Sequence, residues 1–309
     1  MSSAELILPE HVDLHMQKVD DLQPGQVIAD GRYEIIDALA PGGQHRVYKA
    51  EDKLSAGRVA IKLFDEPNEQ MRLSVDRELT ANIMLSGNRG INETLDMGIT
   101  TDTNLPQRYF TSKLADTDAS GLKEEYKDIP MHILVEGALE VVYGIEVIKR
   151  AGLAHKDIKP RNILVDKSNN QWSLTDFGSV EVIEAKSIKI APELGALAVS
   201  DTAPTNPMLV STIGFLAPEL VDGVIDTKTD VFSLGATIYR LATGELPYKG
   251  NNLKAYIDSV NNFDPKPINT LNEDVPEELN DIVQGCLKLQ PKERPSIETL
   301  ASSLESVDI

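Results

Sequence analysis

The sequence predicts an α+β fold of two units, a small antiparallel β-sheet unit containing one helix, followed by a larger, mainly α-helical unit. Three observations carry this. Short β-rich runs bounded by turn residues occupy the stretch from Val27 to Lys113. A single run within that stretch, 68–85, has helical periodicity instead. Beyond Met131, apolar residues recur with the helical period of about 3.6 residues in most of the longer segments.

Residues 1–26 read as an acidic N-terminal extension, with Glu5, Glu10, Asp13, Asp20 and Asp21 around the apolar patch Leu6-Ile7-Leu8. Strand material follows at Gln26-Val27-Ile28 and Arg32 to Ile36, on either side of an Asp30-Gly31 turn. Val47 to Ala50 and Arg58 to Leu63 are two further β-rich runs joined by a polar turn. Consecutive strands of this kind are expected to form an antiparallel meander. From Asn68 to Leu85 a stripe of Met71, Val75, Leu79 and Ile83 predicts a helix that carries Glu78 on an adjacent flank. Runs at Glu93 to Ile99 and Arg108 to Lys113 complete the sheet, so the first unit is taken as 27–115 and the second as 116–309.

The second unit opens on a polar connector, Asp116 to Gly121. A long helix over Met131 to Ala151 is predicted from the stripe Leu134, Ala138, Val141, Ile145 and Ile148, with Gly152 as its terminator. Four more helices are expected at Thr229 to Ala242, Asn252 to Asn261, Pro276 to Leu287 and Ser296 to Ser306. Internal repeats and coiled-coil heptads are not found.

Composition limits the function classes. The 309 residues carry a formal net charge of −19 at pH 7, which argues against binding nucleic acid or an anionic membrane surface. The one cysteine, Cys286, forbids an internal disulfide and any cysteine-based metal cage, so a buried thiol in a reducing compartment is expected. With no leader-like segment at Met1 to Asp30 and no long apolar run, the expected location is cytoplasmic, without a membrane span.

The chemistry concentrates in His155-Lys156-Asp157-Ile158-Lys159-Pro160-Arg161-Asn162 and in Asp176-Phe177-Gly178. Asp157 can accept a proton and Lys159 can neutralise a phosphoryl oxygen. Asn162 and Asp176 offer the hard oxygen ligands that Mg²⁺ prefers. Polar groups set among Ile163, Leu164 and Phe177 are costly unless cations or hydrogen bonds compensate them, which points to a site for a charged ligand. Lys62, at the end of the apolar run Val59-Ala60-Ile61, reads by itself as an ordinary strand-end lysine. Asp76 competes with Glu78 for the acidic position on the helix.

In order and spacing these motifs resemble the protein kinases of the eukaryotic-like (Hanks-type) Ser/Thr class, with opening phrases similar to bacterial members. The resemblance runs from about residue 27 to the end through Gly31-Arg32-Tyr33, Gly42-Gly43, Val47-Tyr48-Lys49-Ala50, Val59-Ala60-Ile61-Lys62, Ala217-Pro218-Glu219, Thr229-Asp230-Val231-Phe232 and Arg294-Pro295. It implies a two-lobed kinase-like fold, and an ATP- and Mg²⁺-dependent enzyme transferring the γ-phosphoryl to Ser/Thr hydroxyls of proteins, its own among them.

Roles follow by position. Lys62 would hold the α- and β-phosphates and Glu78 would orient it; Asp157 would accept the hydroxyl proton, Lys159 would stabilise the γ-phosphoryl, and Asn162 and Asp176 would bind Mg²⁺. Gly42, Val47, Ala60, Leu164 and Ala115 would line the ATP site. Thr212 would belong to the substrate platform, and His155, Glu219, Asp230 and Arg294 would be structural, with Glu219 pairing Arg294 and Asp230 holding the catalytic-loop backbone.

Four departures from the pattern stand out. Ala40 and His45 replace glycines of the phosphate-covering loop, which predicts a looser grip. Lys113 stands where an acidic residue is common. Lys156 replaces the arginine beside the catalytic Asp, a point charge in place of a planar fork, so phosphate control is expected to be weaker. The segment from Asp176 to Glu219 is long, with Ser187, Ser200, Thr202, Thr205 and Ser211 as candidate phosphoacceptors. Two readings of other classes stay open: a pseudokinase serving as a nucleotide-binding scaffold, suggested by Ala40 and His45, and a small-molecule phosphotransferase sharing the Asp157-to-Asn162 spacing.

Overall fold

A computed structural model describes residues 20–40, 45–66, 68–183 and 213–309. The chain divides into two compact units, the first made of Met1–Leu73 with Asp96–Thr111 and the second of Ser74–Leu95 with Ser112–Ile309.

The first unit is organised by a six-stranded sheet, β1 (Val27–Ile28), β2 (Tyr33–Ala40), β3 (His45–Asp52), β4 (Gly57–Phe64), β5 (Thr94–Thr100) and β6 (Gln107–Lys113). Its order is β1-β2-β3-β4-β6-β5, and β1 to β4 form the antiparallel meander. The β3–β4 register decides which side chains share a face. Tyr48 lies opposite Ile61 and Ala50 opposite Val59, and all four join Ile28, Tyr33, Ile35 and Leu63 in a buried core. Val47 opposite Lys62 and Lys49 opposite Ala60 therefore take the other face, because side chains alternate along a strand. The end of the N-terminal extension is built into this unit. Leu22 is buried in the core and its N–H donates to Tyr48 Oη at 3.0 Å, while Gly25 N–H donates to the Ile35 carbonyl at 2.8 Å.

Helix α1 (Glu69–Leu85) follows β4. Its buried side is not the stripe expected from periodicity. Val75, Glu78, Ala81, Asn82 and Leu85 are buried, whereas Ile83 is 61% exposed. A polar side can be buried here because it is satisfied: Asn82 Nδ2 donates to the Glu78 carbonyl at 2.9 Å and Thr94 Oγ1 donates to Asn82 Oδ1 at 3.2 Å.

In the second unit the stretch expected to be a polar connector is ordered. Thr117–Asp118 forms β7, and Ala119–Glu125 forms α2, whose N-terminus is capped by Asp118 Oδ1 accepting from Gly121 N–H at 2.8 Å. Asp118 thus marks a helix start within a cluster of turn-type residues. Helix α3 (Met131–Arg150) buries Leu134, Ala138, Val141, Ile145 and Ile148, then stops before Gly152 at φ +74.

Short strands then frame the loops. They are β8 (Leu153–Ala154), β9 (Ile163–Asp166), β10 (Gln171–Leu174) and β11 (Glu181–Val182). β9 pairs with both β10 and β7, and β11 pairs with β8, all antiparallel. The remaining helices are α4 (Thr229–Thr243), α5 (Leu253–Asn262), α6 (Glu277–Cys286) and α7 (Ile297–Glu305), close to the ranges expected from sequence. α4 is buried nearly all round, and the core it anchors extends from Ala81 to Val307.

Candidate active site

In the second unit the loop between β8 and β9 holds the charged cluster. A 3₁₀ turn at Pro160–Asn162 folds it back, with Asn162 N–H donating to the Lys159 carbonyl at 2.9 Å. Proline at the first position of that turn supplies a fixed φ and lacks the N–H that would otherwise be unsatisfied. Lys159 Nζ lies 3.0 and 2.8 Å from the two carboxylate oxygens of Asp157, and Asn162 Nδ2 donates to Asp157 Oδ2 and to its carbonyl, both at 2.8 Å. Asp157 is thus fixed by a cation and an amide. Because the Asn162 nitrogen is committed twice to Asp157, the amide oxygen is the atom left to bind a metal.

Asp176 follows β10 in a left-handed conformation, φ 66 and ψ 70, which carboxylate and amide side chains tolerate better than most. The adjacent Thr175 N–H donates to the Asn162 carbonyl at 3.1 Å, so the two turns bearing the candidate oxygen ligands are tied together. Glu78 also reaches this neighbourhood. Its Oε2 lies 3.2 Å from where a Cβ on Gly178 would stand, so the glycine leaves room for the carboxylate. Among the described residues no group of three or more His, Cys, Asp or Glu side chains could hold a metal ion. The donor set of one amide and one carboxylate suits a hard cation that completes its shell with water and phosphate oxygens.

Buried residues hold the loop from behind. Asp230 Oδ2 and Oδ1 accept the N–H groups of His155 and Lys156, both at 2.8 Å. Burial pushes the Asp230 carboxyl pKa up, opposed by His155 and by those two N–H groups. His155 is fully buried, lies 5.4 Å from the Phe177 ring, donates from Nε2 to the Thr175 carbonyl at 3.1 Å and accepts the Asp157 N–H at Nδ1. Glu219 accepts from Arg294 Nη1 at 2.6 Å and Nη2 at 2.8 Å, and also from Thr229 Oγ1 at 2.9 Å.

Leu164 lies on β9 opposite Asp118 and Ser173, and Ala115 is half-buried in the connection before β7. Lys113 pairs with Asp166 at 3.1 Å, so the basic residue at an ordinarily acidic position has its own counter-charge. In the first unit Val47, Ala60 and Lys62 share the face away from the core. Lys62 is buried, with Nζ 5.4 Å from the Phe64 ring centroid. Gly42, Thr212 and the candidate phosphoacceptors Ser187, Ser200, Thr202, Thr205 and Ser211 lie outside the described residues.

Sequence reasoning missed one residue beside this loop. Lys156, at φ 66, forms an ion pair with Glu181 of β11. A single carboxylate a few residues beyond Gly178 carries no motif that would single it out.

Residues 33–304 match the model of the protein kinase domain. The chain belongs to the protein kinase domain family. Among its relatives, a probable serine/threonine-protein kinase of Clostridium perfringens is 27% identical over 277 residues, covering 86% of this chain and 37% of the relative. Serine/threonine-protein kinase PknL of Mycobacterium tuberculosis is 28% identical over 274 residues, covering 86% of this chain and 63% of the relative. Serine/threonine-protein kinase A of Synechocystis is 24% identical, covering 90% of this chain and 53% of the relative. The chain therefore spans less than two thirds of the length of each. No helix among the described residues is long and apolar enough to cross a membrane.

Proposed function

We propose that this kinase domain transfers the γ-phosphoryl of ATP, with Mg²⁺, to Ser/Thr hydroxyls of proteins, its own among them. The observation that carries the reading is the Asp157 carboxylate, held by Lys159 at 2.8 Å and Asn162 at 2.8 Å on a loop clamped by Asp230. In this reading Asp157 accepts the hydroxyl proton, and Lys159, already beside it, supplies positive charge where the phosphoryl oxygens gather. Asn162 and Asp176 offer the two oxygens for Mg²⁺, which when bound neutralises charge on the phosphates. By the family pattern Lys62 holds the α- and β-phosphates, Glu78 orients it, and Gly42, Val47, Ala60, Leu164 and Ala115 line the nucleotide site. Residues 27–115 are thereby assigned nucleotide holding, and 116–309 catalysis and the protein substrate, with Thr212 on its platform.

The net charge of −19 supports protein rather than nucleic-acid partners, and the single thiol fits a reducing, cytoplasmic setting. The scaffold reading draws on Ala40 and His45 alone, whereas all the polar roles of phosphoryl transfer are filled; the catalytic reading is preferred.

The test is incubation of the purified chain with ATP and Mg²⁺, alone and with generic protein acceptors beside aminoglycosides and sugars, followed by mass spectrometry. Phosphate on Ser or Thr is expected. Nucleotide binding without transfer to any acceptor would reverse the choice in favour of the scaffold, and transfer to the small molecules alone would make it a small-molecule phosphotransferase.

A further inference from the structure

Lys156 immediately precedes Asp157, and its backbone sits in the left-handed region at φ 66, where a residue with a Cβ is held only when its surroundings impose it. Two anchors impose it. The Lys156 N–H donates to Asp230 Oδ1 at 2.8 Å, and its ammonium pairs with Glu181 Oε2. Both side chains of that pair are largely withdrawn from water, at 15% and 26% exposed, so the attraction is less screened than at an open surface.

Glu181 is itself registered against the same stretch of chain. It lies opposite Ala154 in the β11–β8 ladder, Val182 lies opposite Leu153, and Ile183 N–H donates to the Gly152 carbonyl at 2.7 Å. The carboxylate is therefore delivered to Lys156 by backbone pairing only two residues upstream of it. A lysine is a point charge that one carboxylate satisfies, without the two-pronged partner that an arginine fork favours.

We propose that Glu181 is a positioning residue for Asp157, acting through Lys156 as a counter-charge built into the chain, so that the loop is set without phosphate on the segment that follows. This rests on the kinase reading above. Its consequence is an enzyme whose basal turnover is independent of modification at Ser187, Ser200, Thr202, Thr205 or Ser211.

The test uses the full chain co-expressed with a phosphatase and verified as unphosphorylated by mass spectrometry, with initial rates of transfer from ATP and Mg²⁺ to casein. Unphosphorylated wild type is expected to work within about twofold of its self-phosphorylated form. Glu181→Ala is expected to lower kcat by about tenfold or more while KM for ATP stays within about twofold, a split that simple loss of folded protein does not produce together with an intact ATP-induced rise in Tm. The exchange variant Lys156→Glu/Glu181→Lys, which rebuilds the pair with reversed charges, is expected to recover most of kcat, and it decides the matter if the single variant does not fold. Wild-type kcat in Glu181→Ala, more than about tenfold activation of wild type by self-phosphorylation, or an exchange variant no better than the single one each overturns the inference. Wild type that binds ATP yet labels no acceptor removes the kinase reading, and this inference with it.

Discussion

Arg294 clasps Glu219 through two hydrogen bonds of 2.6 and 2.8 Å, with its guanidinium fully buried. The remaining donors are also used, on the carbonyls of Lys288, Leu289 and Lys228, and the group lies over the Phe232 ring at 4.9 Å. Removing one member of such a pair strands the other charge in the core. Arg294→Lys keeps the charge but loses the fork, and it is expected to cost about 3 kcal/mol. A urea midpoint equal to wild type would show that the clasp adds nothing to stability.

Asp157→Asn and Asp176→Asn should each lower turnover by at least about 10³-fold, equivalent to about 4 kcal/mol of transition-state stabilisation. Asp157→Asn removes the proposed proton acceptor, and Asp176→Asn removes the charge of a proposed metal ligand. Steady-state transfer rates, compared at matched circular dichroism spectra, check this; either variant running at the wild-type rate would strip that residue of its role.

The Asp52 carboxyl is held at a pKa of about 2 by hydrogen bonds from Arg32, against the opposing effect of burial. Its folded pKa lies below the ordinary carboxylate value, so the folded state binds fewer protons than the unfolded state. The stabilisation is complete above about pH 4 and is lost as pH falls towards 2. Asp52→Asn should therefore lower Tm at neutral pH and flatten its fall between about pH 4 and 2. Parallel Tm-against-pH curves for variant and wild type would rule this out.

Gly137 of α3 lies against the ring of Trp172, where an added Cβ would come within 2.1 Å of Cε2. Trp172 is buried and its Nε1 donates to Asn170 Oδ1 at 2.8 Å, so it has little room to retreat. Gly137→Ala should destabilise by about 1–3 kcal/mol through overpacking. Trp172 is the only tryptophan, so the change in its fluorescence reports the disturbance directly. Unaltered emission and an unaltered unfolding midpoint would count against this packing.

The elements legible in the sequence were those with a strong local signature. α3 follows from its apolar stripe and the glycine that ends it, α4 to α7 from helical patterning, and the meander from β-rich runs separated by turns. α2 was hidden because the residues that cap it also suit a turn. The face of α1 was misjudged because periodicity assigns apolar residues inward. Here Glu78 and Asn82 are buried in their place, with Asn82 bonded to the Glu78 carbonyl and to Thr94.

Taken alone, the amino-acid sequence determined which residues are candidates for the chemistry, because Asp157, Lys159, Asn162 and Asp176 occur at set offsets along one short stretch of chain. The resemblance already implied Asp230 beneath the loop and Arg294 on Glu219. Only the tertiary structure decided the geometry of those contacts and added Glu181 on Lys156, all of them formed where separate strands and helices meet. Their strength comes from burial and geometry at those meetings, and neither quantity is written in the spacing of residues along a strand or a helix.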